Sequence, residues 1–152
     1  MTDFKIEIKN IDQLAAAFKK APQIATKHLN DAIKKSLYLI EEKAKPETPV
    51  DLNFLRGAGY ETSFGTLKGE LKNTAPYAVF VHEGTRPHFP PLDDIKPWAD
   101  RHGIPPFLVA RAISKKGTKG KPFFKDAIEK SEAEINRIFD DALIDITNEI
   151  FS

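Results

Sequence analysis

The feature that most constrains the fold is a long run of apolar residues, spaced three and four apart, in the last part of the chain. It begins near Pro122 and contains no later glycine or proline. This spacing places the apolar side chains on one side of an α-helix of about 28 residues. A helix with such a side must bury it against another element. The residues concerned are Phe124, Ala127, Ile128, Ile135, Ile138, Phe139, Ala142, Leu143, Ile146 and Ile150.

The first third of the chain supplies a second long helix. Apolar residues from Ile24 to Ile40 share one side of a helix that we expect to end near Lys45, because Pro46 disfavours helical geometry in the residue before it. Pro22 either kinks one continuous helix or opens a new one. Before these residues, alternating apolar and charged residues at positions 4–9 predict a strand.

Three further segments favour strands. Residues 60–64 and 66–71 flank Gly65 and predict a hairpin, and Tyr77–Val81 is the strongest strand candidate. The sequence therefore predicts an α+β fold, in which a small antiparallel sheet of three to four strands packs against long N-terminal and C-terminal helices. We expect a single domain over residues 1–152.

A short helical insertion is expected after the main strand, at residues 92–121, and it ends in a basic glycine loop. Leu92–His102 has acidic residues at its start, basic residues at its end and Gly103 as a cap. A second short helix is expected over Pro106–Ser114. Its apolar residues are predicted to point inward: Leu108, Val109, Ala112 and Ile113.

The segment Glu83–Pro91 is predicted to leave the strand as an extended arm. Gly84 permits a sharp exit, and three prolines hold the residues before them in extended geometry. An extended segment needs partners for its backbone N–H and C=O groups, which water or a neighbouring chain can provide. The candidate interface residues are Glu83, Gly84, Thr85, Arg86, His88 and Phe89.

Charge is unevenly distributed, although the net charge is only +1. Residues 101–125 hold seven basic and no acidic residues, whereas residues 126–152 hold eight acidic and two basic residues. The two segments either neutralise each other within one molecule or pair between subunits, and pairing between subunits would suit a ring. Four lysines are candidates for contact with DNA phosphates or with another subunit: Lys115, Lys116, Lys119 and Lys121.

Residue patterns typical of enzymes are missing from the sequence. The chain has no cysteine, so thiolate nucleophiles and thiolate zinc sites are excluded. His82, Glu83 and His88 do not have the spacing of the helical zinc-protease motif, and a loop metal site formed by these three residues is a weaker alternative than a polar surface. Residues 117–121 lack the full phosphate-binding loop pattern. We therefore predict a non-enzyme without catalytic residues, metal or cofactor.

No apolar run is long enough to cross a membrane, and the charged N-terminal residues do not form a signal peptide. The expected compartment is a cytoplasm, with no membrane partner.

Several segments together resemble the small tail-component proteins of long-tailed bacteriophages, which are also called minor tail, neck or tail-completion proteins. The resemblance spans nearly the whole chain. Its most specific parts are Tyr77-Ala78, Glu83-Gly84-Thr85 and Pro122-Phe123-Phe124, supported by Leu55-Arg56 and Trp98-Ala99.

The resemblance implies a virion structural protein of a phage or prophage. Such a protein would act at the head–tail junction or in tail completion, as a ring of subunits around the DNA channel. Its partners would be itself, neighbouring neck, connector and tail proteins and, without sequence specificity, the DNA in the channel. It would be assembled in the host cytoplasm and reside in the virion. The alternative that the residues leave open is a nucleic-acid-binding module that uses the basic segment 111–125.

Overall fold

A computed structural model of the protein describes residues 11–49, 59–75 and 78–152. The first element, α1 (Ile11–Glu47), is one continuous helix through Pro22 and Pro46. Pro22 therefore does not open a new helix, and the helix ends two residues beyond Lys45. Pro46 has no N–H and lies in the last turn, so the hydrogen bond that it removes is at the end of the helix. The strand predicted at residues 4–9 lies outside the described residues.

The last helix, α5 (Phe123–Phe151), packs antiparallel against α1 and confirms the prediction of a long C-terminal helix. The buried residues between them are mostly small. Small side chains allow two helix axes to approach closely. The buried hydroxyls of Ser36 and Ser131 each donate to the carbonyl oxygen four residues earlier, at 2.8 and 2.7 Å, so neither lacks a partner. The small buried residues are Ala32, Ser36, Ala44, Ala127, Ser131 and Ala142.

The predicted hairpin is confirmed as β1 (Tyr60–Gly65) and β2 (Lys68–Asn73), which pair antiparallel with Gly65 opposite Lys68. The second strand begins two residues later than predicted, because Thr66 and Leu67 form the turn. It packs against α1. A Cβ at Gly69 would lie 2.6 Å from Leu37 Cδ1, so the strand approaches the helix closely only because this residue is glycine. The side-chain oxygen of Asn30 accepts a hydrogen bond from the N–H of Leu67 at 2.7 Å and holds the turn.

The strand predicted at Tyr77–Val81 is wrong where the structure describes it, because Ala78–Glu83 forms a short helix, α2. A continuous apolar run of this length fits a buried strand or a short helix equally well, and its periodicity cannot separate the two. Ala78 is buried whereas Val79 and Phe80 are exposed, so the apolar run is not buried throughout.

The insertion forms a helical hairpin, as predicted. It consists of α3 (Leu92–Arg101) and α4 (Pro106–Lys116), which pack against each other. Gly103, at φ 64°, follows α3, and the N–H of Ile104 donates to the carbonyl oxygen of Ala99 at 2.9 Å, which completes a glycine cap. The two short helices are called the α3–α4 hairpin below.

Two short strands, β3 (Gly84–Thr85) and β4 (Thr118–Lys119), flank the α3–α4 hairpin and pair antiparallel with each other. The α+β class is confirmed. The prediction of one sheet with three to four strands is corrected, because the described part of the chain holds two separate two-stranded pairs, β1–β2 and β3–β4. Residues 78–81, the described part of the expected main strand, lie in α2 instead.

Candidate assembly surface

The two motifs singled out in the sequence, around Gly84 and around Gly117, lie side by side in the β3–β4 pair. Gly84 has φ 79° and Gly117 has φ 69°, both in the left-handed region. A Cβ at Gly84 would lie 2.4 Å from the carbonyl oxygen of Thr118, and a Cβ at Gly117 would lie 2.0 Å from that of Thr85. Glycine is therefore required at both positions for the two backbones to meet.

Hydrogen bonds join the same two segments. The hydroxyls of Thr85 and Thr118 lie 2.9 Å apart, and the N–H of Thr118 donates to the Thr85 hydroxyl at 3.1 Å. Beyond the paired strands, the N–H of Lys121 donates to the carbonyl oxygen of Val81 at 2.8 Å. The end of α2 is thus connected to the residues that lead into α5.

An aromatic cluster lies next to this connection. Phe123 is 1% exposed and packs with Ala75 and Ala78. The His82 ring meets the Phe123 ring edge-on at 5.3 Å between centroids, and its buried Nε2 has no hydrogen-bond partner among the described residues. Phe124 stacks edge-on with Tyr60 at 5.5 Å, which ties the cluster to the β1–β2 hairpin. The Pro-Phe-Phe motif therefore has a packing role.

The predicted interface residues are divided between this connection and the surface. Glu83 ends α2, and Gly84 and Thr85 form β3. The residues that follow are exposed, but they run along α4 rather than away from the molecule. The N–H of His88 donates weakly to the carbonyl oxygen of Ile113 at 3.4 Å, and the rings of Phe89 and Phe107 lie 6.2 Å apart. The exposed members are Arg86, His88 and Phe89.

The inward side of α4 differs from the prediction. Val109 and Ile113 are half-buried, as predicted, and Ala110, which was not among the predicted inward residues, is buried. Leu108 and Ala112, in contrast, are exposed. Both lie about two residues from Ala110, which turns them to the opposite side of the helix. The apolar pattern of a short helix with apolar residues on two sides does not reveal which side is covered.

The four candidate lysines are all exposed. Lys115 and Lys116 lie in the last turn of α4, where positive charge is favourable beside the negative end of the helix dipole. Lys119 lies in β4, and Lys121 follows it. Their positions fit contact with an anionic surface and equally fit a solvated helix end, so their predicted role stays a prediction.

Among the described residues, the acidic helix α5 forms its ion pairs to another element with α1 and not with residues 117–121. His28 Nε2 lies 2.6 Å from a carboxylate oxygen of Glu149, Lys43 pairs with Glu134, and Lys130 pairs with Glu47. The hydrogen bond from Lys130 lowers the pKa of Glu47, and the hydrogen bond from His28 lowers the pKa of Glu149. These pairs join the two long helices in their antiparallel arrangement.

Neither a metal site nor a membrane span is found in the described residues. His82, Glu83 and His88 belong to no cluster of three or more His, Asp or Glu side chains that could hold a metal ion in residues 11–49, 59–75 and 78–152. Over the same ranges, no helix is long and apolar enough to cross a membrane.

Comparison with known proteins connects the first half of this arrangement to a phage family. Residues 12–84 match the model of the family described as "Bacteriophage HK97-gp10, putative tail-component". The matched residues run from α1 through the β1–β2 hairpin and α2 to Gly84. Neither the curated proteins nor the solved structures give a significant match.

Proposed function

We propose that this chain, which matches a phage tail-component family over residues 12–84, forms a ring of subunits at the head–tail junction or at the completed end of the tail. The family match supports a structural role in the virion, which agrees with the absence of a cysteine nucleophile from the sequence. Position at the neck, ring formation and passage of DNA through the ring are the parts that we add.

The observation that carries the proposal is the exposure of large apolar side chains from α2 to α4. Apolar patches of this kind on a soluble protein mark contact surfaces. Val79 and Phe80 are 61% and 60% exposed on neighbouring positions of α2, and Phe89 and Phe107 meet at the surface. Further exposed members occur along the α3–α4 hairpin: Leu92, Trp98, Ile104 and Leu108.

In this role the chain has two kinds of protein partner, further copies of itself and the neighbouring neck, connector or tail proteins. The exposed residues Arg86, His88 and Phe89 follow β3 and lie beside α4, so they would contribute to the same contact surface. Subunits would be made in the host cytoplasm and enter the virion on assembly.

Electron microscopy of lysates made with the gene silenced tests this function. We expect full heads beside unattached or abnormally ended tails, and we expect a plasmid copy of the gene to restore complete particles. Intact, infectious virions in the silenced lysate would refute a joining or completion role.

The second candidate is nucleic-acid binding, which the exposure of the basic residues favours. Four lysines lie within seven consecutive positions without an intervening acidic residue: Lys115, Lys116, Lys119 and Lys121. Binding through phosphates would weaken steeply with salt, since each neutralised phosphate releases counterions. Titration of the purified chain with duplex DNA at low and at physiological salt separates the candidates. Tight, salt-dependent binding by the free protein would favour the nucleic-acid-binding module.

A further inference from the structure

We infer that the outer side of α4 docks against the outer side of α5 in a second copy of this chain. This pairing rests on the proposed self-assembly and names the two surfaces that would meet.

The outer side of α4 is apolar and basic. Leu108, Arg111 and Lys115 are three and four residues apart, so they lie on one side of the helix, opposite the buried Ala110. Leu108 is 51% exposed. The helix contains three basic residues, Arg111, Lys115 and Lys116, and no acidic residue.

The outer side of α5 is apolar and acidic near its C-terminal end. Ile144 is 57% exposed and lies on the side of the helix away from Ala142 and Ile146, which are buried. Phe151, two turns later, is 64% exposed on the same side. Asp140 and Asp141, one turn before Ile144, are exposed and make no ion pair in the described structure. Residues 140–151 contain four acidic residues and no basic residue.

The two surfaces complement each other when the helices run antiparallel. With Leu108 opposite Ile144, Arg111 lies one turn away on the side where Asp140 and Asp141 project. Apolar contact at the centre with charge pairs beside it is the usual arrangement of a protein interface.

Within one molecule, α4 and α5 pack against other elements and not against each other's outer side. α4 packs against α3 and is joined to the rest through the β3–β4 pair, whereas α5 packs against α1. Because the two surfaces differ, each copy would use one of them toward each neighbour. Such a head-to-tail contact closes into a ring when the rotation between copies is suitable.

Disulfide cross-linking between two single-cysteine variants tests the pairing directly, because the natural chain has no cysteine. Leu108→Cys and Ile144→Cys are made in separate chains and mixed under oxidising conditions. Docking brings the two Cα atoms within about 7 Å, so we expect a cross-linked dimer in the mixture and little in either variant alone. Phe18→Cys, a 62% exposed position on α1, replaces Ile144→Cys as the control. Equal cross-linking with the control, or within Leu108→Cys alone, would overturn the pairing.

Charge reversal with rescue gives an independent result. Arg111→Glu is expected to weaken self-association about tenfold or more, because it places a third carboxylate beside Asp140 and Asp141. The triple variant Arg111→Glu, Asp140→Lys, Asp141→Lys is expected to recover association, whereas Lys19→Glu, outside both surfaces, leaves it unchanged. Sedimentation velocity provides the readout.

The two proposals fail differently in these experiments. Suppose that the wild-type chain assembles, but Leu108→Cys and Ile144→Cys do not cross-link and the triple variant does not recover association. This result refutes the docking surfaces and does not contradict the proposed ring. A wild-type chain that remains monomeric, alone and with assembled tails, refutes both.

Discussion

The β3–β4 pair makes a quantitative prediction about its glycines. Gly84→Ala adds a methyl group 2.4 Å from the carbonyl oxygen of Thr118, whereas non-bonded heavy atoms prefer about 3.5 Å or more. The two backbones must therefore separate by about 1 Å, and the positive φ of Gly84 adds strain. Overpacking costs about 1–3 kcal/mol and the left-handed conformation about 1 kcal/mol. We expect a loss of about 2–4 kcal/mol in the free energy of unfolding.

Two other glycines separate the two causes. Gly103 has φ 64°, but a Cβ there meets no atom within 4 Å, so Gly103→Ala tests the backbone strain alone. Gly120 has no positive φ, but its Cβ would lie 2.5 Å from the carbonyl carbon of Glu83, so Gly120→Ala tests the close approach alone. We expect losses of about 1 kcal/mol or less and of about 1–3 kcal/mol, respectively.

Urea denaturation followed by circular dichroism measures the three losses. Amide hydrogen exchange at Lys121, whose N–H bonds Val81, reports opening of the pair even if the helices remain folded. If Gly84→Ala and Gly103→Ala agree within about 0.5 kcal/mol and exchange at Lys121 is unchanged, the close approach of β3 and β4 does not stabilise the protein.

Three further predictions follow from single features of the fold. Leu67 has φ 52° and is half exposed, so Leu67→Gly should leave the melting temperature unchanged or raise stability by up to about 1 kcal/mol; a clear loss would show that its side-chain contacts outweigh the strain. The lowered pKa of Glu47 means that its pairing with Lys130 stabilises the fold above the ordinary carboxyl pKa of 4.5 and is lost as pH falls through the lower folded value. Glu47→Gln should therefore lose less stability than wild type between about pH 5 and pH 3, and parallel pH profiles from thermal melts would contradict this. Replacing the four candidate lysines, Lys115, Lys116, Lys119 and Lys121, by glutamate should leave the circular dichroism spectrum unchanged but block incorporation into particles. Normal incorporation would refute their role in assembly.

Sequence reasoning was most successful where one physical signal acted over many residues. The long apolar period of α5 predicted its length, and Gly103 with the surrounding charges predicted the end of α3. The hairpin β1–β2 followed from the residues on either side of Gly65. In these segments the local preference and the tertiary packing favour the same structure.

Predictions were wrong where a short segment had two solutions. α2 is a single short helix, and its Ala78 packs against Phe123, a residue distant in sequence that the segment itself does not reveal. Leu108 was expected inside because it is apolar, but α3 covers the other side of α4. The close approach of Gly84 to Thr118, and of Gly117 to Thr85, could not be read from either motif alone, since each glycine is explained only by the backbone of the other segment.

The ends of residues 86–117 lie next to each other, because the strands immediately before and after them are paired. A segment whose ends meet can be lengthened, shortened or replaced without changing the distance that the remaining chain has to span. The packing of α1 against α5 can thereby stay constant while residues 86–117 change in the course of evolution. In the proposed docking, a change on the outer side of α4 would then have to be matched only by a change on the outer side of α5.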